Sequence, residues 1–208
     1  MQMGLNDFSA RDAINKLGKE ELEKIFKFFG DENDAKKIAL KIIKERKTKN
    51  IDNQILVKII DDIKIKKNFK IHNATKVFQA LRIFVNKEIT ELISGIIQAT
   101  KKLKPGGKIL VISFHSLEDK IVKFFFSHYS KNKSRPSRYL PENKVEKSFL
   151  FEEYKNKVIR PSKEELNKNR RSRSAKLRFA VRSKNKFHYP EELIKKFKKY
   201  IDLERIGV

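Results

Sequence analysis

Four side chains able to act on a bound substrate stand close together in SFHSLED (113–119): His115, Ser116, Glu118 and Asp119. An imidazole beside two carboxylates can accept or donate protons and can orient a polar substrate through its hydrogens. They follow directly on KILVISF (108–114), an apolar and β-branched run that reads as a strand buried on both faces, as in a parallel sheet. In open α/β folds, ligands bind outside the carboxyl ends of the strands, where this string emerges. Ser116 as N-cap, with Asp119 three residues on, makes an ordinary capping box for the next helix. A helix start needs neither His115 nor Glu118, which are therefore the candidate catalytic pair.

A second set of residues is basic. Fifty Lys and Arg against 26 Asp and Glu give a net charge of +24, which suits a polyanionic partner. Much of that excess is lysine in a chain also rich in Ile and Asn, a bias of composition. Arginine runs against the bias, and Arg160, Arg170, Arg171, Arg173, Arg178 and Arg182 crowd into one short stretch. Guanidinium forks grip phosphates bidentately and stack on bases, which lysine does badly. Arg170, Arg171 and Arg173, with Lys176, are the candidate nucleic-acid contacts.

Other chemistries are excluded or unsupported. Without cysteine there is no disulfide, thiolate metal site or Cys nucleophile. His72, His115, His128 and His188 show no metal-ligand spacing with one another, so no metal site is expected. Gly106-Gly107 reads as a tight turn, and among seven glycines there is no GxGxxG or P-loop. No apolar run approaches the ~20 residues of a membrane span, and MQMGLNDFSARD lacks the features of a secretory signal. A soluble, cytoplasmic protein without a membrane partner is expected.

The elements that must position these residues fall into two regions. From Ser9 to about Asp62 the chain reads as short amphipathic helices. Ser9 and Asp12 form a capping box for ARDAINKL, which Gly18 can end. Leu22, Ile25, Phe26 and Phe29 recur at helical spacing, with Gly30 as C-cap. Ala35, Ile38, Ala39, Ile42 and Ile43 make a third stripe, and Ile55, Leu56, Ile59 and Ile60 a fourth. These stripes build core and carry no chemistry. A polar stretch, Lys64 to Asn73, leads into one long helix from about Ala74 to Leu103. Then come the LKPGG turn (103–107), the KILVISF strand and the helix of SLEDKIVKFFF. A Pro-punctuated loop (Ser130 to Lys147) precedes strand candidates around Phe149–Arg160 and Ser174–Arg182. PSKEELNKN (161–169) is a short capped helix between them, and Pro190 to Ile201 a basic amphipathic one. Helix, turn, buried strand and helix make half of an open α/β unit.

Three strings go further. FQALRIFVNKEI (78–89), KPGGKILVISFHSLEDKIVKFFF (104–126) and RPSKEELNKNRRSRSAKLRFAVR (160–182) resemble signature blocks of the RsmH (MraW) family, in that family's order. MGLNDFSARDAINKL (3–17) resembles the start of its inserted helical domain, so the similarity covers about residues 1–183. Family members use S-adenosylmethionine to methylate the exocyclic amine of a cytosine in the decoding region of 16S rRNA.

The resemblance implies an α/β fold, mostly helical here: the C-terminal part of a Rossmann-like class I methyltransferase sheet plus an all-helical inserted domain. It places the inserted domain at 1–84, the methyltransferase half at 85–183 and a basic C-terminal helix or tail at 184–208. The family's cofactor half comes earlier in its sequence, with a Gly-rich loop, an acid after the second strand and a DLG-type motif after the fourth. None has a counterpart in these 208 residues. The expectation is therefore a truncated form, inactive by itself, that does not bind S-adenosylmethionine alone and leaves KILVISF unpaired on one side. Methyl transfer is an in-line displacement governed by alignment, and the group that draws on the amine's protons belongs to the absent DLG-type motif. What remains is the substrate side, with 16S rRNA or the small ribosomal subunit as partner. A non-enzymatic RNA-binding or ribosome-assembly protein, and one half of a split methyltransferase completed in trans, stay open, as does a homodimer.

Overall fold

The computed structural model describes residues 8–64, 72–131 and 149–206. Most of the polar stretch before Asn73 and of the Pro-punctuated loop lies outside them. Helices α1 (Ala10–Lys16), α2 (Lys19–Gly30), α3 (Ala35–Glu45), α4 (Asn53–Ile63), α5 (Thr75–Val85) and α6 (Glu88–Lys102) come first. They are followed by β1 (Lys108–Ser113), α7 (Ser116–His128), β2 (Phe151–Glu153), α8 (Lys163–Lys168), a 3-10 turn (Arg170–Ser174), β3 (Lys176–Arg182) and α9 (Glu191–Glu204). The described residues are thus mostly helical with a small three-stranded sheet, the α/β class expected. None of these helices is long and apolar enough to cross a membrane. Two compact units emerge, one of residues Met1–Glu91 with Lys198–Val208, the other Leu92–Phe197.

The first unit is helical, and its apolar stripes form its core as their spacing predicts, with Leu22, Ile25, Phe26, Ile38, Ile42, Leu56 and Ile60 fully buried. The Ser9–Asp12 capping box is present. Gly18 serves as N-cap of α2, while α1 ends at Leu17. Gly30 also differs from its expected role. It is the last residue of α2, and the left-handed cap is Asp31 at φ 50°. Gly30 is needed for packing instead: a Cβ there would stand 2.5 Å from the Lys76 carbonyl oxygen in α5.

The single long helix expected from Ala74 to Leu103 is two helices. The chain breaks at Asn86 and at Lys87, which adopts φ 51°, and Arg82 spans the break with Nε and Nη2 on Glu88 at 2.8 and 3.1 Å. A break creates a helix start whose first N–H groups need acceptors. Glu204 of α9 supplies them. Its carboxylate accepts from the Ile89 and Thr90 N–H groups at 2.9 and 2.8 Å and from the Thr90 hydroxyl at 2.6 Å. Only 1% of Glu204 is exposed, and burial pushes its carboxyl above the usual range against those hydrogen bonds.

The second unit holds the sheet, in the order β1-β3-β2 with antiparallel pairing. Ser113 at the end of β1 lies opposite Lys176 at the start of β3, and Lys108 lies opposite Val181. β1 is not buried on both faces as its composition suggested, nor is it parallel to a described neighbour. Ile109 and Ser113 are buried, but Leu110 and Ile112 are 59% and 58% exposed, because alternate side chains leave opposite faces and only one face packs with α7. The second strand candidate shrinks to three residues, with Ile159 and Leu177 joined by an isolated bridge. Phe151 meets Phe125 and Phe126 of α7 edge-on, with ring centroids 5.3 and 5.2 Å apart.

Replacing Glu204 by Ala should leave the Ile89 and Thr90 donors without acceptors, at a cost of about 2 kcal/mol. The denaturation midpoint is expected to fall with the m-value unchanged, and amide exchange at those two residues to accelerate.

Candidate nucleic-acid interface

All six candidate site residues lie in the second unit, at or near the carboxyl end of β1. His115, and not Ser116, is the N-cap of α7, and Glu118 is the partner residue of its capping box. His115 Nδ1 accepts from the Glu118 N–H at 3.3 Å. Glu118 Oε2 accepts from the Phe114 and His115 N–H groups at 2.7 and 3.1 Å. An imidazole accepting at Nδ1 carries its proton on Nε2, which stands 3.3 Å from Glu118 Oε1. The premise that local structure leaves this pair unexplained is therefore overturned. A histidine is an unusual N-cap, which is why sequence pattern put the cap one residue later. Burial raises the Glu118 carboxyl, but the His115 contact and the backbone donors outweigh it, and the group sits below its ordinary 4.5.

Asp119 is freed from capping and does something else. Its carboxylate receives Arg178 Nε at 2.6 Å and Nη2 at 3.2 Å, with Lys176 Nζ at 3.1 Å. Arg178 Nη1 donates onward to the Tyr154 hydroxyl at 2.9 Å. Lys176 and Arg178 reach one carboxylate because residues two apart on a strand share a face. Burial pushes Asp119 up, the two cations pull it down further, and the result lies below the ordinary 3.8.

The arginine cluster splits in two. Arg178 and Arg182, each 5% exposed, are interior residues. Arg182 donates to the carbonyls of Leu150, Ser183 and Asn185 at 2.9–3.0 Å, fastening β3 to the chain around it. Arg160, Arg170, Arg171 and Arg173 are exposed. The last three ride on the 3-10 turn, which leads directly into Lys176 opposite the end of β1. Of the four expected RNA contacts, Arg170, Arg171 and Arg173 face solvent, whereas Lys176 is partly taken up by Asp119.

On the sheet face away from α7 the same turn borders an open groove of about 560 Å³. Ile112, Phe114, Ile159 and Leu177 line it together with Arg160 and Arg171. Ile112 and Phe114 belong to KILVISF, whose composition suggested burial on both faces. The Gly106-Gly107 turn does not offer a cradle for a cofactor: Gly106 N–H donates to the Arg182 carbonyl at 2.9 Å, and the Gly107 carbonyl accepts from Arg182 N–H at 2.8 Å. That turn therefore does not fit the phosphate-free but donor-rich cradle a methyl donor's polar groups would need.

Replacing Asp119 by Ala should strand the Arg178 guanidinium and cost about 3 kcal/mol, lowering the melting temperature by roughly 6–12 °C. Glu118 and Asp119 both have folded values below their ordinary 4.5 and 3.8. Their stabilisation is thus fully present above those ordinary values and is lost as pH falls from them through the lower folded ones. Denaturation midpoints from pH 7 down to pH 3 should decline below about 4.5, and less steeply in Asp119→Ala.

The profile of the MraW methylase family matches residues 1–183. A protein of Bartonella henselae named ribosomal RNA small subunit methyltransferase H is 45% identical over 189 residues, covering 88% of this chain and 53% of that protein. Proteins of the same name from Bartonella quintana and Agrobacterium fabrum are 46% and 43% identical, over 88% of this chain and 55% and 54% of theirs. The chain spans about half the length of the curated relatives it matches. With a family profile matched over most of its length, the chain belongs to the MraW methylase family.

Proposed function

We propose that this chain serves methyl transfer from S-adenosylmethionine to the N(4) amine of a cytosine in 16S rRNA, and that its residues form the RNA-receiving side of that reaction. The supporting observation is the separation of the arginines. Arg178 is neutralised inside the fold by Asp119, whereas Arg170, Arg171 and Arg173 stand exposed on a turn beside the end of β1. An exposed trio of forks suits the phosphates of a folded RNA, which fix register and orientation. The relatives' names, which specify a small-subunit rRNA methyltransferase, support the substrate class. Residues 1–84 are proposed as the inserted helical domain, 85–183 as part of the methyltransferase domain and 184–208 as a basic tail, in a cytoplasmic protein. The methyl donor is assigned to the part of the relatives' sequence outside the match, and the chemistry assigned to these residues is to bind and orient RNA.

His115 and Glu118 are proposed to position the target base as well as cap α7. Their full use in the cap favours a second reading, in which the chain binds rRNA without taking part in the chemistry.

The two readings part on measurable grounds. Isothermal titration of S-adenosylmethionine into the chain alone should give no measurable heat; micromolar binding would contradict the assignment of these residues to the RNA side. Changing Arg170, Arg171 and Arg173 to Ala should weaken binding to a small-subunit rRNA fragment and reduce the salt slope by ~1 for each phosphate no longer neutralised. An unchanged slope rules these three out. His115→Asn keeps an N-cap and Glu118→Gln keeps the capping box, so both should melt near the parent. In a fusion with the part of a curated relative that lies outside the match, each should lower methyl transfer at least tenfold, equivalent to ~1.4 kcal/mol. Undiminished transfer would make the pair a cap and nothing more.

A further inference from the structure

Helix α3 and the turn after it carry a charge that the helical core does not need. Between Ala35 and Asn50 seven basic residues stand against one acid, Glu45. Ala35, Ile38, Ala39 and Ile42 fill the buried face of the helix. Arg46 is turned inward, where it donates to the Ile14 and Leu17 carbonyls at 3.1 and 2.6 Å and closes the end of α1. The other cations have no such task. Lys36, Lys37 and Lys44 on the helix, with Leu40 among them, and Lys47 and Lys49 on the turn are exposed. Residues three and four apart share a helix face, so Lys36, Leu40 and Lys44 form one line that Lys47 extends.

Neighbouring acids answer only part of this charge. Asp34 takes Lys37 at 3.2 Å, and Glu45 takes Lys41 at 3.2 Å and Lys49 at 3.8 Å. Lys36, Lys44 and Lys47 have no carboxylate at ion-pair distance among the described residues. An ammonium is almost never buried without an acid to match it, so water or a polyanion covers this line, and an apolar surface does not. The side chains narrow the kind of polyanion. Lysine is a compact point charge, suited to phosphate oxygens more than to a base edge. α3 has no aromatic residue on which an unpaired base could stack. A helix of RNA offers a groove too deep and narrow for side chains to read, and is met through its backbone. A row of cations held on a rigid helix, with nothing beside it to stack a base, suits that backbone.

We propose that the line Lys36–Lys44–Lys47 is an RNA contact of the helical unit, taking the phosphate backbone of a base-paired segment without reading its sequence. The proposal rests on the reading of this chain as RNA-binding. It adds a contact on different residues from the arginines of the 3-10 turn, and the double-stranded form of what binds there.

Fluorescence anisotropy of the whole chain with a short labelled RNA duplex, titrated over a range of salt, tests this. Changing Lys36, Lys44 and Lys47 together to Gln keeps good helix formers at exposed positions, so the melting temperature should stay near the parent's. Duplex binding at low salt should weaken at least tenfold, and the salt slope should fall by about 1 for each phosphate no longer neutralised. Arg at the same three positions should restore both. Lys101, Lys102 and Lys123 are exposed in the other unit, and changing them to Gln removes the same charge. That control should bind close to the parent; an equal loss in it makes total charge the cause and overturns the proposal. An unaffected α3 variant, while changes at Arg170, Arg171 and Arg173 still flatten the slope, overturns the proposal and leaves the RNA reading standing. Failure of the parent to bind duplex and single strand alike overturns both. An α3 variant weakened toward a single strand of the same length but not toward the duplex also overturns the proposal. Should the triple variant fail to fold, Lys44→Gln alone decides, and a slope equal to the parent's overturns it.

Discussion

The arrangement of the second unit depends on one ion pair, Asp119 with Arg178. The guanidinium is 5% exposed and cannot be deprotonated to escape its burial, so it needs an anion at bonding distance. Asp119 provides it through two nitrogens of one fork, and Tyr154 takes a third donor. α7, β3 and the segment after β2 are thereby held to one register. Such a pair adds little net stability over a well-packed apolar alternative, but removing one partner is costly. Its value here is in specifying an arrangement.

Several features follow from that arrangement. With Asp119 turned to β3, the start of α7 is capped by His115 and Glu118, and Glu118 reaches back to the Phe114 N–H. Two carboxylates in the first helical turn also suit the positive end of the helix dipole. Charge is sorted in the same step. Lys176 and Arg178 are matched inside, while Arg160, Arg171 and their neighbours on the turn remain available to solvent. Two of the three family-like blocks, 104–126 and 160–182, are in direct contact through this pair, so each supplies half of one electrostatic feature.

β1 joins the structural and binding aspects of the unit. Its alternation gives α7 one face for the core and gives the groove the other, where Ile112 and Phe114 are in water. In the described sheet it is an edge strand, and exposed apolar edges are tolerated only where something binds or blocks them.

Much of this was legible in the order of residues. Helix stripes such as Leu22, Ile25, Phe26 and Phe29 follow from a period of 3.6, the Ser9–Asp12 box from side-chain reach, and β3 from its own pattern, because each is a local property. The family blocks were readable for the same reason, as contiguous strings. What failed to show were relations between distant residues. Glu204 caps α6 across more than a hundred residues, Asp31 rather than Gly30 takes the left-handed turn, and Gly30 is instead where α5 passes too close for any Cβ. The six arginines looked alike until the fold buried Arg178 and Arg182 and exposed the rest. A strand's composition cannot say whether one face or both will be covered, and Asp119 could have capped α7 or paired with Arg178. Sequence determines which groups are present and what local geometry they favour. Which of them meet, and which are left to water, is decided only when desolvation makes every buried charge and donor find its partner.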